Sequence, residues 1–141
     1  MKILSVQGHN LQNKEFLGKS DPYFCIEYGD FQETSVTLNN VEKEVVWSDV
    51  NMFIEVDKRC LNKEKLKISV FDENATRADL PLGFGIASVT QLCRSVLTER
   101  KIKVDLCDEK GALCGTLFLN AMLVPSKVEV RTQNEISLKS V

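Results

Sequence analysis

Two aspartates stand where a carboxylate could be held rigid at the end of a strand. Asp21 is followed by Pro22, which confines the aspartate backbone to extended conformations, and preceded by Gly18, which permits a tight turn. Phe24, Ile26 and Tyr28 then alternate with Cys25 and Glu27, the period of a half-buried strand. Asp72 ends a second such run, in which Leu66, Ile68 and Val70 alternate with Lys65, Lys67 and Ser69. Rigid carboxylate oxygens suit a hard cation, because the ligands need little ordering when the ion arrives. Acids at turns also accept backbone hydrogen bonds and pin loops, and both uses are open to this pair.

The elements that must position these acids are strands. Residues 2–6 form a strand by alternation, and Gly8, Asn10 and Asn13 break it into an irregular loop before Phe16 and Leu17. A hairpin at Gly29-Asp30 joins the strand after Asp21 to one over residues 31–38. Residues 45–47 and 51–56 are expected to give another strand with Phe53 at its centre, and 63–71 a further one. Trp47 is expected to cap the core. Residues 72–82, DENATRADLPL, lack apolar periodicity and read as a long loop. A strand over 84–89, a short helical turn after Thr90 through Val96, a strand over 101–106, a turn on Asp108 and Gly111, and a strand over 115–124 complete the chain up to Pro125. About eight short strands separated by turns make an antiparallel β-sandwich. Residues 126–141 are polar, with isolated Val128, Val130, Ile136 and Leu138, and read as a tail or linker.

Composition sets the limits. At 141 residues, 43% hydrophobic and 27% charged, the chain is one globular domain with enough apolar material for one core. With 18 Lys plus Arg against 20 Asp plus Glu there is no global field that would favour nucleic acid. Five cysteines without CxxC spacing suit reduced thiols and an intracellular setting, and no stretch approaches the roughly twenty apolar residues of a membrane span. Catalytic classes lack their parts. His9 is the one histidine and has no nucleophile motif beside it, and Gly83-Phe84-Gly85 lacks the further glycine and the lysine of a nucleotide loop.

Several motifs in order carry a resemblance. GKSDPYFCIEY is similar to the GxSDPYVxV signature of C2 domains, VVWSDVNMFIEV resembles the W-N-E-x-F-x-F strand of that family, and LKISVFDEN leading to LPLGFG resembles its third-loop region. The likeness runs over residues 1–124 and implies the eight-stranded C2 sandwich. Because the first loop follows the first strand and an extra strand ends the domain, it implies the circularly permuted type II order. The domain is placed at 1–125 and the tail at 126–141.

C2 domains bind Ca2+ between loops at one end of the sandwich and meet acidic phospholipid there. Carried over by position, the resemblance implies Asp21 and Asp72 as metal ligands at matching positions. Glu15 stands for the first-loop aspartate, Asn74 for a third-loop aspartate, and Asp79 lies one residue from another. A longer side chain at 15 and a neutral oxygen at 74 imply weak binding. Without an ion, Glu15, Asp21, Asp72, Glu73 and Asp79 would form an acidic end that repels anionic headgroups. Phe16 falls at the family's membrane-inserting position, with Leu17 beside it, and Arg77 could meet a phosphate; Leu80 and Pro81 extend the tip or seal the core, and Leu82 belongs to the core. The family's phosphoinositide-binding strand corresponds to residues 31–38, which carry Glu33 and no lysine. The basic group Lys58, Arg59, Lys63, Lys65 and Lys67 reads as a solvated face. The expected function is calcium-regulated docking of a cytoplasmic protein on membranes. The alternative is a calcium-independent protein-interaction scaffold.

Overall fold

The computed structural model describes residues 1–14, 18–57, 59 and 61–125. The expectations for Glu15, Phe16, Leu17, Lys58 and the 126–141 tail lie outside the described residues. The strands are β1 (Lys2–His9), β2 (Pro22–Tyr28), β3 (Phe31–Thr34), β4 (Val45–Trp47), β5 (Met52–Phe53), β6 (Leu66–Asp72), β7 (Leu80–Ala87), β8 (Arg100–Cys107) and β9 (Leu113–Met122), with a 3-10 turn over Thr90–Arg94. They run β3-β2-β6-β7-β8-β9-β1-β4, and β5 pairs with β1 off this path. All pairings are antiparallel. Between β7 and β8 the described ladder is one pair, Phe84 with Cys107, so the sheet curls there and folds into two facing halves. The expected antiparallel β-sandwich is borne out.

Alternation builds the core. β6 buries Leu66, Ile68, Val70 and Asp72, and β2 buries Pro22, Phe24, Ile26 and Tyr28. Ile3, Val6, Ile102, Val104, Leu106, Leu117 and Leu119 come from the opposite half. Trp47 is 1% exposed and meets Phe24 edge-to-face at 5.0 Å, and its indole N–H donates to Val36 O at 3.2 Å. It closes the core, as expected.

Three boundaries differ from expectation, each for a local reason. The strand over 31–38 ends at Thr34, because Ser35 Oγ accepts the Phe24 N–H at 2.9 Å and takes the place of a ladder partner. The strand over 51–56 is reduced to Met52–Phe53, and Phe53 points outward at 62% exposure under Lys2, 5.2 Å from its ring. β7 begins at Leu80 rather than residue 84, so the third loop is only residues 73–79. A register shift between Val70 and Phe71 lets Pro81 sit opposite Phe71 within the pairing. Leu82 is buried, as expected.

Candidate metal centre at the loop end

Asp21 and Asp72 are brought together because β2 and β6 pair, with Pro22 opposite Asp72. The Asp21 N–H donates to Asp72 Oδ1 at 2.8 Å, and the Glu73 N–H donates back to Asp21 O at 2.9 Å. Asp21 Oδ1 accepts the Asn40 N–H at 2.6 Å, which ties in the loop between β3 and β4. One oxygen of each carboxylate therefore pins a loop. The other oxygen of Asp72 is different. Asp72 is fully buried, and its Oδ2 has no hydrogen-bond partner among the described residues. An ionised oxygen removed from water without a partner is costly, and a cation is the partner that best offsets that cost.

The third loop is organised around Asp79. Its Oδ1 accepts the Asn74 N–H at 2.9 Å, and its Oδ2 accepts the Tyr23 hydroxyl at 2.5 Å. The Asn74 N–H and then the Tyr23 hydroxyl hold the Asp79 carboxyl below the usual carboxylate range. Burial first, and then the bond to Asp79 and its charge, push the Tyr23 phenol up to about 12. Tyr23 also stacks on Phe71, with ring centroids 5.5 Å apart. Asp79 thus faces Tyr23 and the loop backbone with both oxygens engaged. Asn74 lies in the same loop, with its amide N–H donating to Ala78 O at 3.4 Å, and Arg77 is exposed.

Sequence reasoning passed over Tyr23 because its partner is distant in the chain. The SDPY segment that contains it was a signal for position, and nothing in the residue types pointed to Asp79. Among the described residues, which leave out Glu15, no group of three or more acidic, histidine or cysteine side chains is arranged to hold a metal. The described donor set that fits a cation is Asp72 Oδ2 with the Asp21 carboxylate beside it.

His9 closes the neighbouring rim. Its Nδ1 pairs with Glu44 Oε2, while Glu44 Oε1 accepts the Asn10 N–H at 3.1 Å. The Asn10 N–H first, and then His9, hold Glu44 below its ordinary range. Lys14 of the first loop donates to Pro81 O at 2.7 Å. No helix is long and apolar enough to cross a membrane among the described residues.

A family model described as C2 domain matches residues 1–107. No curated protein sequence matches the chain. Among solved structures, a C2 domain of plant Extended Synaptotagmin 1 matches with a TM-score of 0.61 at 15% identity, over 89% of this chain and 96% of that one. A structure of CC2D1B matches with a TM-score of 0.68 at 17% identity, over 86% of this chain and 53% of that one. Calcium-bound C2 domains of Extended-Synaptotagmin 2 match with a TM-score of 0.54 at 22% identity, over 84% of this chain and 45% of that one. The chain spans about half the length of the latter two. At these identities the likeness is one of fold.

Proposed function

The chain belongs to the C2 domain family, and on that premise we propose that it is a calcium-regulated module that docks on acidic phospholipid membranes through its Asp21 and Asp72 end. The observation that carries this is Asp72: a fully buried carboxylate whose Oδ2 has no hydrogen-bond partner among the described residues. A residue kept only to pin a loop has no need of that second oxygen. Ca2+ would be held by Asp72 and Asp21, with Asn74 and Glu15 as additional oxygen donors, and it would supply the positive charge that joins the acidic end to lipid phosphate. Asp79 joins the set only by giving up the Tyr23 hydroxyl. Phe16 and Leu17 are the apolar contacts, and Arg77, exposed in the third loop, meets a headgroup phosphate.

Electrostatics supplies the switch. Asp21, Asp72, Glu73 and Asp79 lie in the loop region with Glu73 exposed, and their charge opposes an anionic surface until a cation neutralises it. The sandwich is in type II order under this reading, since the first loop leaves β1 directly and β9 lies beside β1. Residues 1–125 act as the module, which works as a peripheral membrane protein of the cytoplasm and takes no catalytic step. The calcium-bound C2 structures of Extended-Synaptotagmin 2 add support from the same fold. Co-sedimentation with phosphatidylserine vesicles, in calcium and then in chelator, tests the proposal.

A second reading is favoured by the oxygens already in use. Asp21 Oδ1, Asp72 Oδ1 and both Asp79 oxygens bond within the protein, as in a scaffold that binds a protein partner without calcium. The two readings part on whether calcium changes binding.

A further inference from the structure

We infer that the turn between β8 and β9 is an additional contact for an anionic phospholipid bilayer, made by Leu113 and Lys110. This rests on the membrane-docking reading, but it uses a segment outside the first and third loops assigned there.

Position comes from the strand register. Thr116 of β9 pairs with His9, the last residue of β1, so the β8–β9 turn and the first loop leave the sandwich at the same end. The base of the turn is fastened to the start of β7, which follows the third loop: Cys114 Sγ donates to Leu82 O at 3.2 Å, while Lys14 of the first loop donates to the adjacent Pro81 O at 2.7 Å. Three segments therefore converge on Pro81 and Leu82.

The turn is built in advance. Asp108 Oδ1 accepts the N–H groups of Lys110 and Ala112, both at 2.9 Å, and the Gly111 N–H donates to Asp108 O at 3.0 Å. Gly111 has φ +83°, a conformation that side-chain-bearing residues resist. One Asp108 oxygen is engaged inside this turn, and its negative charge remains there. What remains outside is Glu109, Lys110, Gly111, Ala112 and Leu113, all exposed, with Leu113 at 73%.

The occupant follows from that shape and chemistry. One lysine in the turn and one leucine at its base, where β9 begins, offer too little apolar area for a protein interface, which needs roughly 800 Å² per partner. They suit an interfacial layer, where the leucine enters the acyl boundary and the lysine reaches a phosphate. Asp108 and Glu109 together outweigh the Lys110 charge, so apolar insertion of Leu113 carries the contact. Because the turn is already ordered, little conformational freedom is lost on docking.

The test places an indole beside the turn by Leu113→Trp and compares it with the parent protein, whose own Trp47 is buried. Vesicles of phosphatidylserine and phosphatidylcholine carry doxyl-labelled lipid, with calcium present. The expected result is quenching and a blue shift of the introduced indole on vesicle binding, with Trp47 emission unchanged in the parent. Leu113→Asp should lower vesicle affinity at least fivefold while leaving the melting temperature and its calcium response in place. Vesicle binding without quenching, or with Leu113→Asp binding as well as the parent, overturns the inference and leaves the docking reading standing. Failure of the parent itself to bind vesicles overturns both.

Discussion

The Tyr23 hydroxyl donates to Asp79 Oδ2 at 2.5 Å, joining the head of β2 to the third loop across 56 residues of sequence. The bond fixes the loop and occupies an oxygen that a cation would otherwise use. Tyr23→Phe should therefore release Asp79 toward the metal and tighten calcium binding several-fold, since affinity rises with available carboxylate oxygens. Calorimetric calcium titration of the two proteins checks this. Equal or weaker binding by the variant would mean that Asp79 serves only to hold the loop.

Asp72→Asn should behave in the opposite way. It keeps a side-chain oxygen for the Asp21 N–H and removes the buried charge, so the calcium-free protein should melt at the same temperature or higher. Its calcium-induced melting shift should vanish, with affinity reduced at least tenfold, or about 1.4 kcal/mol. A retained shift would remove Asp72 from the donor set.

Alkali should destabilise the fold through Tyr23. The unfolded phenol ionises near its ordinary value of 10.0 and the folded one at about 12, so the neutral phenol's contribution is complete below the lower value and is lost as pH rises through the higher one. Asp79 works at the other end: its folded carboxyl is depressed, and its contribution is present above the ordinary carboxylate range and lost as pH falls through the folded value. Spectrophotometric titration should show one of the two tyrosines ionising near 12, and Tyr23→Phe should abolish that transition. Loss of the alkaline transition should leave the variant less sensitive to alkali in chemical denaturation.

The seam between the sheet halves depends on small residues. A Cβ at Gly85 would collide with Val104 Cγ1 and come within 2.9 Å of Asp105 O, where β7 meets β8. Gly85→Ala should cost about 1–3 kcal/mol, the usual range for overpacking a filled interior. Urea denaturation measures it, and an unchanged midpoint would show that the seam can widen without loss.

Much of this architecture was legible because strands announce themselves by period. The LKISVFD alternation gave β6 and put Asp72 at its end, and the SDPY segment gave β2 with Asp21 at its head. The turn on Asp108 and Gly111 was also readable from residue type. Other features depend on contacts remote in sequence. Pro81 argued for loop and instead lies in a strand, because a register shift beside Phe71 accommodates it. Phe53 was expected at the centre of a strand over 51–56, yet it ends the two-residue β5 and faces outward as a platform for Lys2. The carboxylates of Asp21 and Asp72 could be placed near one another from motif positions, but the division between engaged oxygens and the orphaned Asp72 Oδ2 is a matter of tertiary geometry.

The most direct test of the docking account is sedimentation of the protein with phosphatidylserine-containing vesicles, first in calcium and then with excess chelator. Calcium-regulated docking predicts that the protein pellets with the vesicles in calcium and returns to the supernatant in chelator, with Asp72→Asn remaining in the supernatant throughout. Equal pelleting in both conditions, or none in either, would contradict it.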